Sequence, residues 1–132
     1  MFQHAALSLE DAKRVAAAAR AEAEKNGWAV VIAVLDDGGH LIYLERMDGT
    51  QKASSRIAEA KGRTAILFKR PTKAIEDNVL EGRTVMMSLP GAVPLEGGVP
   101  LVKDGQFLGG IGVSGVQSFQ DGIVARAGAA AL

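Results

Sequence analysis

Gly97-Gly98-Val99-Pro100-Leu101-Val102-Lys103-Asp104-Gly105 and Gly109-Gly110-Ile111-Gly112-Val113-Ser114-Gly115 are the two segments that decide the fold of this chain. Both are short and apolar. Asp104-Gly105 between them has the chemistry of a tight hairpin turn, and the second arm carries glycine at almost every other position. A strand without side chains gives up packing and costs more backbone entropy to order, so these glycines imply a close approach. The approaching partner is another backbone, a packed helix or a bound ligand.

Outward from the hairpin, residues 28–35 form a β-branched, apolar run and residues 41–44 a second, with Asp36-Asp37-Gly38-Gly39 as the turn between them. The first run has almost no polar residue, which predicts a central strand covered on both faces. Ser8 predicts the start of a helix, with Glu10 and Asp11 at the positive end of its dipole. Leu9, Ala12, Ala16, Ala19 and Ala23 form its stripe and Asn26-Gly27 its end. Ser54 or Ser55 caps a second helix running to about Arg70, where Pro71 stops it. Thr72 caps a third that ends at Glu81-Gly82. Residues 83–98 read as a long irregular connection, the type of segment that often binds something, and residues 117–132 as a closing alanine-rich helix. The sum is one α+β domain over residues 1–132 with a mainly antiparallel sheet.

Composition narrows the function. The 132 residues carry fifteen basic and fifteen acidic side chains, a formal net charge of zero, and no Lys/Arg cluster. The electrostatic footprint of a nucleic-acid binder is therefore missing. With no cysteine, disulfides, thiolate metal sites and thiol nucleophiles are excluded. No apolar run approaches the roughly 20 residues of a membrane span, and the N-terminus lacks signal-peptide character. A cytoplasmic protein with no membrane partner is expected.

On the second helix Ile57, Lys61, Thr64 and Phe68 share one stripe, flanked by Ala58 and Ala65, so a core-facing surface contains a lysine and a threonine. Either Lys61 snorkels and Thr64 bonds to its own backbone, or both line a pocket. If the glycine strand lies beside the first strand, one sheet edge gathers Arg46 and Asp48, Ser54, Glu96-Gly97-Gly98 and Ser114. Separate polar segments then converge as they do at a small-molecule site. Arg46 and Asp48 read equally well as a loop salt bridge. Gly109-Gly110-Ile111-Gly112 is not a dinucleotide fingerprint, because it lies inside a strand pattern without a parallel strand-helix-strand unit. His4 is a solvated terminal histidine or an accessible metal or haem ligand, and His40 borders a turn. Met47, Met86 and Met87 read as core filler. Asp36, Asp48, Glu96 and Asp121 are separately placed, no metal cluster or catalytic triad is identifiable, and no catalytic residue follows from these positions.

Taken together, several segments resemble the GlcG/HbpS family, and the chain also resembles the C-terminal domain of PduO. They are residues 28–36 with Gly38-Gly39-His40-Leu41, Arg46-Met47-Asp48-Gly49, Ile57-Ala58 with Lys61, Thr64-Ala65 and Phe68, and Arg70-Pro71-Thr72. The two glycine segments and Ala125-Arg126-Ala127-Gly128 complete the set. The resemblance covers nearly the whole chain. It implies a profilin-like or PAS-like domain with a five-stranded antiparallel sheet flanked by helices, homo-oligomers, and relatives that bind or degrade haem or bind corrinoid. GlcG-type members accompany glycolate-utilisation genes. No motif shared across the family fixes an axial haem ligand. Val116 departs from the small residue that relatives commonly have after Ser114-Gly115, and it narrows the expected pocket mouth.

Three functions follow as expectations. The first is binding of a small molecule, with haem or a related tetrapyrrole as the cofactor. Arg46 and Lys61 would then hold carboxylates or propionates while glycine amides add donors. The second is an enzyme on a small 2-hydroxy or 2-oxo acid, with Lys61 as base and Asp48 or Glu96 carrying the proton. The third is a structural homo-oligomer whose alanine faces and glycine strands serve subunit packing.

Overall fold

The structure, a computed structural model, describes residues 1–132. Helix α1 (Leu9–Asn26) begins where Ser8 predicts. The Ser8 Oγ accepts from the Asp11 amide and the Asp11 carboxylate accepts from the Ser8 amide, each at 3.0 Å, a reciprocal capping box. Gly27, at φ 73°, closes it in the left-handed conformation. Strands β1 (Val31–Asp36) and β2 (Leu41–Arg46) follow, then α2 (Ser54–Leu67), α3 (Thr72–Leu80) and a short 3-10 helix over Thr84–Ser88. Strands β3 (Gly98–Lys103) and β4 (Gln106–Ser114) and helix α4 (Ser118–Ala129) complete the chain. Asp104 and Gly105 both take positive φ, as a type I′ hairpin turn requires.

The sheet is antiparallel with strand order β2-β1-β4-β3. It has four strands rather than the five implied by the resemblance. The connection between α3 and β3 supplies none, since its 3-10 turn and Pro90 and Pro94 leave no run of free N–H groups to extend the ladder. Strand β1 is central and its Val31–Leu35 run is fully buried, because α1 and α4 cover one face of the sheet and α2 the other. On the α1/α4 face the main core gathers Val15, Ile32, Val34, Leu101, Ile111, Val113 and Val124. A smaller cluster of Val31, Ala33, Leu35 and Ala58 lies under α2.

The glycines of β4 are accounted for by α2. A Cβ on Gly112 would land on the Ala58 carbonyl and one on Gly110 on the Gly62 carbonyl. Conversely, a Cβ on Gly62 would meet the backbone N of Gly112 at 2.9 Å. Helix and strand approach backbone to backbone, so the close neighbour of the glycine arm is a helix rather than a ligand.

Several local expectations shift. Leu9 is 50% exposed, and Val15 takes its place in the buried stripe of α1. Helix α2 stops at Leu67, short of Arg70, and its buried residues are Ser54, Ala58, Lys61, Gly62, Thr64, Ala65 and Ile66, while Ile57 and Phe68 are only half-buried. Where α2 crosses the glycine strand the contact is made by Ala58 and Gly62, because larger side chains would not fit between the two backbones. Ser54 lies inside the helix instead of capping it. Thr72 does not cap α3 either, because its hydroxyl is drawn to β3, where it accepts from the Gly98 amide at 2.9 Å.

Candidate functional site

Lys61 and Asp121 occupy the sheet end at which the polar residues were expected to converge. Lys61 Nζ donates to Asp121 Oδ2 and to the Val113 carbonyl, both at 3.1 Å, and both side chains are 3% exposed. Asp121, in the first turn of α4, uses Oδ1 to accept from the Val116 amide at 3.1 Å. Burial pushes its carboxyl above the usual range, against the downward pull of the Lys61 ammonium. The missing side chain of Gly97 leaves room for Lys61: a Cβ there would come 2.9 Å from Nζ. Beside this pair the Ser54 and Ser114 hydroxyls meet at 3.0 Å, also buried.

Glu96 is buried too. Its Oε2 accepts from Arg126 Nη1 at 3.1 Å and its Oε1 lies 4.0 Å from Lys73 Nζ. Gly122 makes this possible, since a Cβ there would occupy the Glu96 carboxylate. Thr64 bonds back to the Ala60 carbonyl at 2.8 Å, as helical threonines do, and also accepts from the Val93 amide at 3.0 Å, which latches the long loop to α2.

The expected ligand set is thus only partly assembled. Ser54, Lys61, Gly97, Gly98 and Ser114 come together, but as a packed, hydrogen-bonded junction in which Lys61 is already neutralised. Thr64 serves the loop. Arg46 and Asp48 are exposed and form no ion pair with each other. None of Arg46, Asp48, Ser54, Lys61, Thr64, Glu96, Gly97, Gly98 or Ser114 lines either surface cavity. Along β4 the space the glycines leave is taken by the backbone of α2. Asp121 and Arg126 take parts in this network that were not assigned from sequence. The available signal was an acid at the head of the apolar run Gly122-Ile123-Val124-Ala125.

Two open cavities remain. One of about 520 Å³ lies between the N-terminal arm (Gln3, His4, Ala5) and the β3–β4 hairpin (Lys103, Asp104, Gln106, Leu108). The arm is held there by the Ala5 amide, which donates to Gln106 Oε1 at 3.3 Å, and by His4 Nε2, 3.5 Å from Asp37 Oδ2. The other, of about 370 Å³, is lined by Pro71, Lys73, Ala74, Asp77, Val99 and Arg126. No group of three or more His, Asp or Glu side chains is placed to hold a metal ion, and no helix is long and apolar enough to cross a membrane.

A four-stranded antiparallel sheet between α2 and the α1/α4 pair, with an oligoglycine strand under α2, defines a compact α+β class of domain. The family model described as haem degrading protein HbpS-like matches residues 7–130, and the chain belongs to that family. Protein GlcG of Escherichia coli K12 is 49% identical over 108 residues, covering 82% of this chain and 81% of GlcG. The crystal structure of a double mutant of HbpS from Streptomyces reticuli superposes with TM-score 0.91 at 35% identity, covering all of this chain and 90% of that one. The PduOC:Heme complex superposes with TM-score 0.87 at 30% identity, covering 97% and 96%. Corrinoid adenosyltransferase PduO of Salmonella typhimurium LT2 is 32% identical over 131 residues, and this chain spans 39% of its length.

Proposed function

We propose that this protein binds haem in the cleft between the N-terminal arm and the β3–β4 hairpin, with His4 as the iron ligand. The observation that carries the reading is the state of the His4 ring. Its Nδ1 lies 3.0 Å from the Ala5 carbonyl, an acceptor only, so Nδ1 carries a proton, and Nε2, which faces Asp37 Oδ2 at 3.5 Å, is the nitrogen left to bind iron once it turns from that carboxylate. A backbone carbonyl that fixes the tautomer in this way is the usual support of a ligating histidine. Lys103 is the cation in the same lining for a propionate, and Leu108 and Ala5 are its apolar wall. Met1 and Phe2, fully exposed beside His4, are free to extend that wall. The haem complex of a relative 30% identical to this chain supports the same ligand class.

Haem titration tests the reading. A saturable Soret shift at micromolar haem is expected for the native chain, weakened at least tenfold in His4→Ala; no shift in the native chain sinks it. Self-association belongs to the same reading, since Leu80, Val85 and Met87, more than half exposed, cluster at the end of α3 and on the 3-10 helix. Light scattering that finds only monomers would remove that part.

A further inference from the structure

The 370 Å³ cleft is a site in its own right. Its walls come from three elements: Pro71, Lys73, Ala74 and Asp77 along the first two turns of α3, Val99 of β3, and Arg126 of α4. Its volume falls in the range of small-molecule pockets. Pro71, Ala74 and Val99 are apolar, and the charged lining is two cations, Lys73 and Arg126, against the single carboxylate of Asp77.

Two more carboxylates stand nearby outside the wall: Glu76, whose Oε1 accepts from the Glu96 amide at 3.2 Å, and Glu96 itself, which is buried. Glu96 holds Arg126 through one hydrogen bond and lies 4.0 Å from Lys73 Nζ, so it fixes the two cations from behind. Arg126 spends a single N–H on Glu96 and Lys73 a single N–H on Asp77, at 3.3 Å. Both keep donors free, and both side chains are about half exposed, at 54% and 51%. The hydrogen bond and charge of Asp77, with Glu96 behind it, raise the Lys73 pKa, so the ammonium persists at neutral pH. The cleft also opens at the positive end of α3, whose first turn has no side-chain cap.

We infer that this cleft binds a small monocarboxylate with a short apolar body. The carboxylate bridges the free donors of Arg126 and Lys73, and the body lies on Pro71, Ala74 and Val99. The site is separate from the His4 cleft. Val99 and Lys103 stand at opposite ends of β3, roughly 13 Å apart at the rise of a strand.

Calorimetric titration of the full chain with benzoate, benzamide and benzylamine tests the inference. Benzoate is expected to bind saturably, with benzamide and benzylamine at least tenfold weaker. Arg126→Gln and Lys73→Gln are each expected to weaken benzoate at least tenfold, and either variant suffices if the other does not fold. His4→Ala, and saturation with haem, are expected to leave benzoate binding unchanged. Failure of benzoate to bind, equal affinity for benzamide, preference for benzylamine, or unchanged affinity in the folded variants overturns the proposal. Displacement of benzoate by haem overturns it as well, because the carboxylate recognised would then be a propionate. Loss of the Soret shift with benzoate binding retained would end the haem reading alone.

Discussion

Lys61 of α2 and Asp121 of α4 meet at 3.1 Å across the end of β4, with both side chains 3% exposed. Burial raises the Asp121 carboxyl despite the ammonium beside it, so desolvation outweighs the attraction of the pair. Removing one partner strands the other charge: Lys61→Met or Asp121→Leu alone is expected to cost about 3–5 kcal/mol. The double variant is expected to recover most of that loss, or to exceed the native stability, in urea denaturation. A double variant as unstable as the two single losses added together would contradict this. The sign for pH follows from the raised carboxyl. Its contribution is full below the unfolded value of 3.8 and is lost as pH rises through the higher folded value.

Asp36 behaves in the opposite way. Partial burial pushes its carboxyl up, but the amides of His40 and Gly38, each donating to Oδ1 at 2.9 Å, together with the His40 ring, hold it below 3.8. Its stabilisation is present above pH 3.8 and lost as pH falls through the lowered folded value. With the side chain 38% exposed, solvent screening leaves roughly 0.5–1 kcal/mol. Asp36→Asn is expected to flatten the acid limb of stability below about pH 4 in denaturant titrations. An acid limb as steep as that of the native chain would assign the effect elsewhere.

The backbone contact between α2 and β4 makes a steric prediction. Gly112→Ala places a methyl on the Ala58 carbonyl, and neither backbone can move without opening the sheet or the helix. The expected loss is about 3 kcal/mol, the upper end for overpacking, read from the shift in thermal midpoint. A shift of only a degree or two would show that α2 can lift from the sheet.

Thr64 supports the long loop through one acceptor. Thr64→Val keeps the shape but leaves the Val93 amide without its 3.0 Å partner, at a cost of about 1–2 kcal/mol. Hydrogen exchange at the Val93 amide is expected to accelerate about tenfold relative to that of Val113, which donates to the Gly97 carbonyl at 2.9 Å. Equal protection in variant and native chain would place the latch on other contacts.

Much of the fold was legible because its signals are local. Ser8 with Asp11, Gly27, Asp104-Gly105 and Pro71 each carry their own backbone preference, so helix ends and the hairpin fell near their expected places. The apolar run of β1 announced a central strand. Ser54 and Thr72 misled for a complementary reason: a hydroxyl that can cap a helix is equally able to bond across it, and here Ser114 and Gly98 offered buried partners. The Lys61–Asp121 pair spans sixty positions, and no periodicity connects its ends. Of the site, the sequence brought Lys61, Ser54, Gly97, Gly98 and Ser114 to one place. It did not show that Asp121 would join them.

From the residues alone came a single α+β domain, a mainly antiparallel sheet, the supposition that the glycine arm lies beside the first strand, and a requirement that something approach that arm closely. Only the tertiary structure decided what approaches. The missing side chains of Gly110 and Gly112 accommodate the backbone of α2, and the open clefts lie elsewhere, at His4 and at Arg126. The reason is physical: a glycine fixes the distance at which a neighbour can pack, whereas the identity of that neighbour depends on contacts made far along the chain.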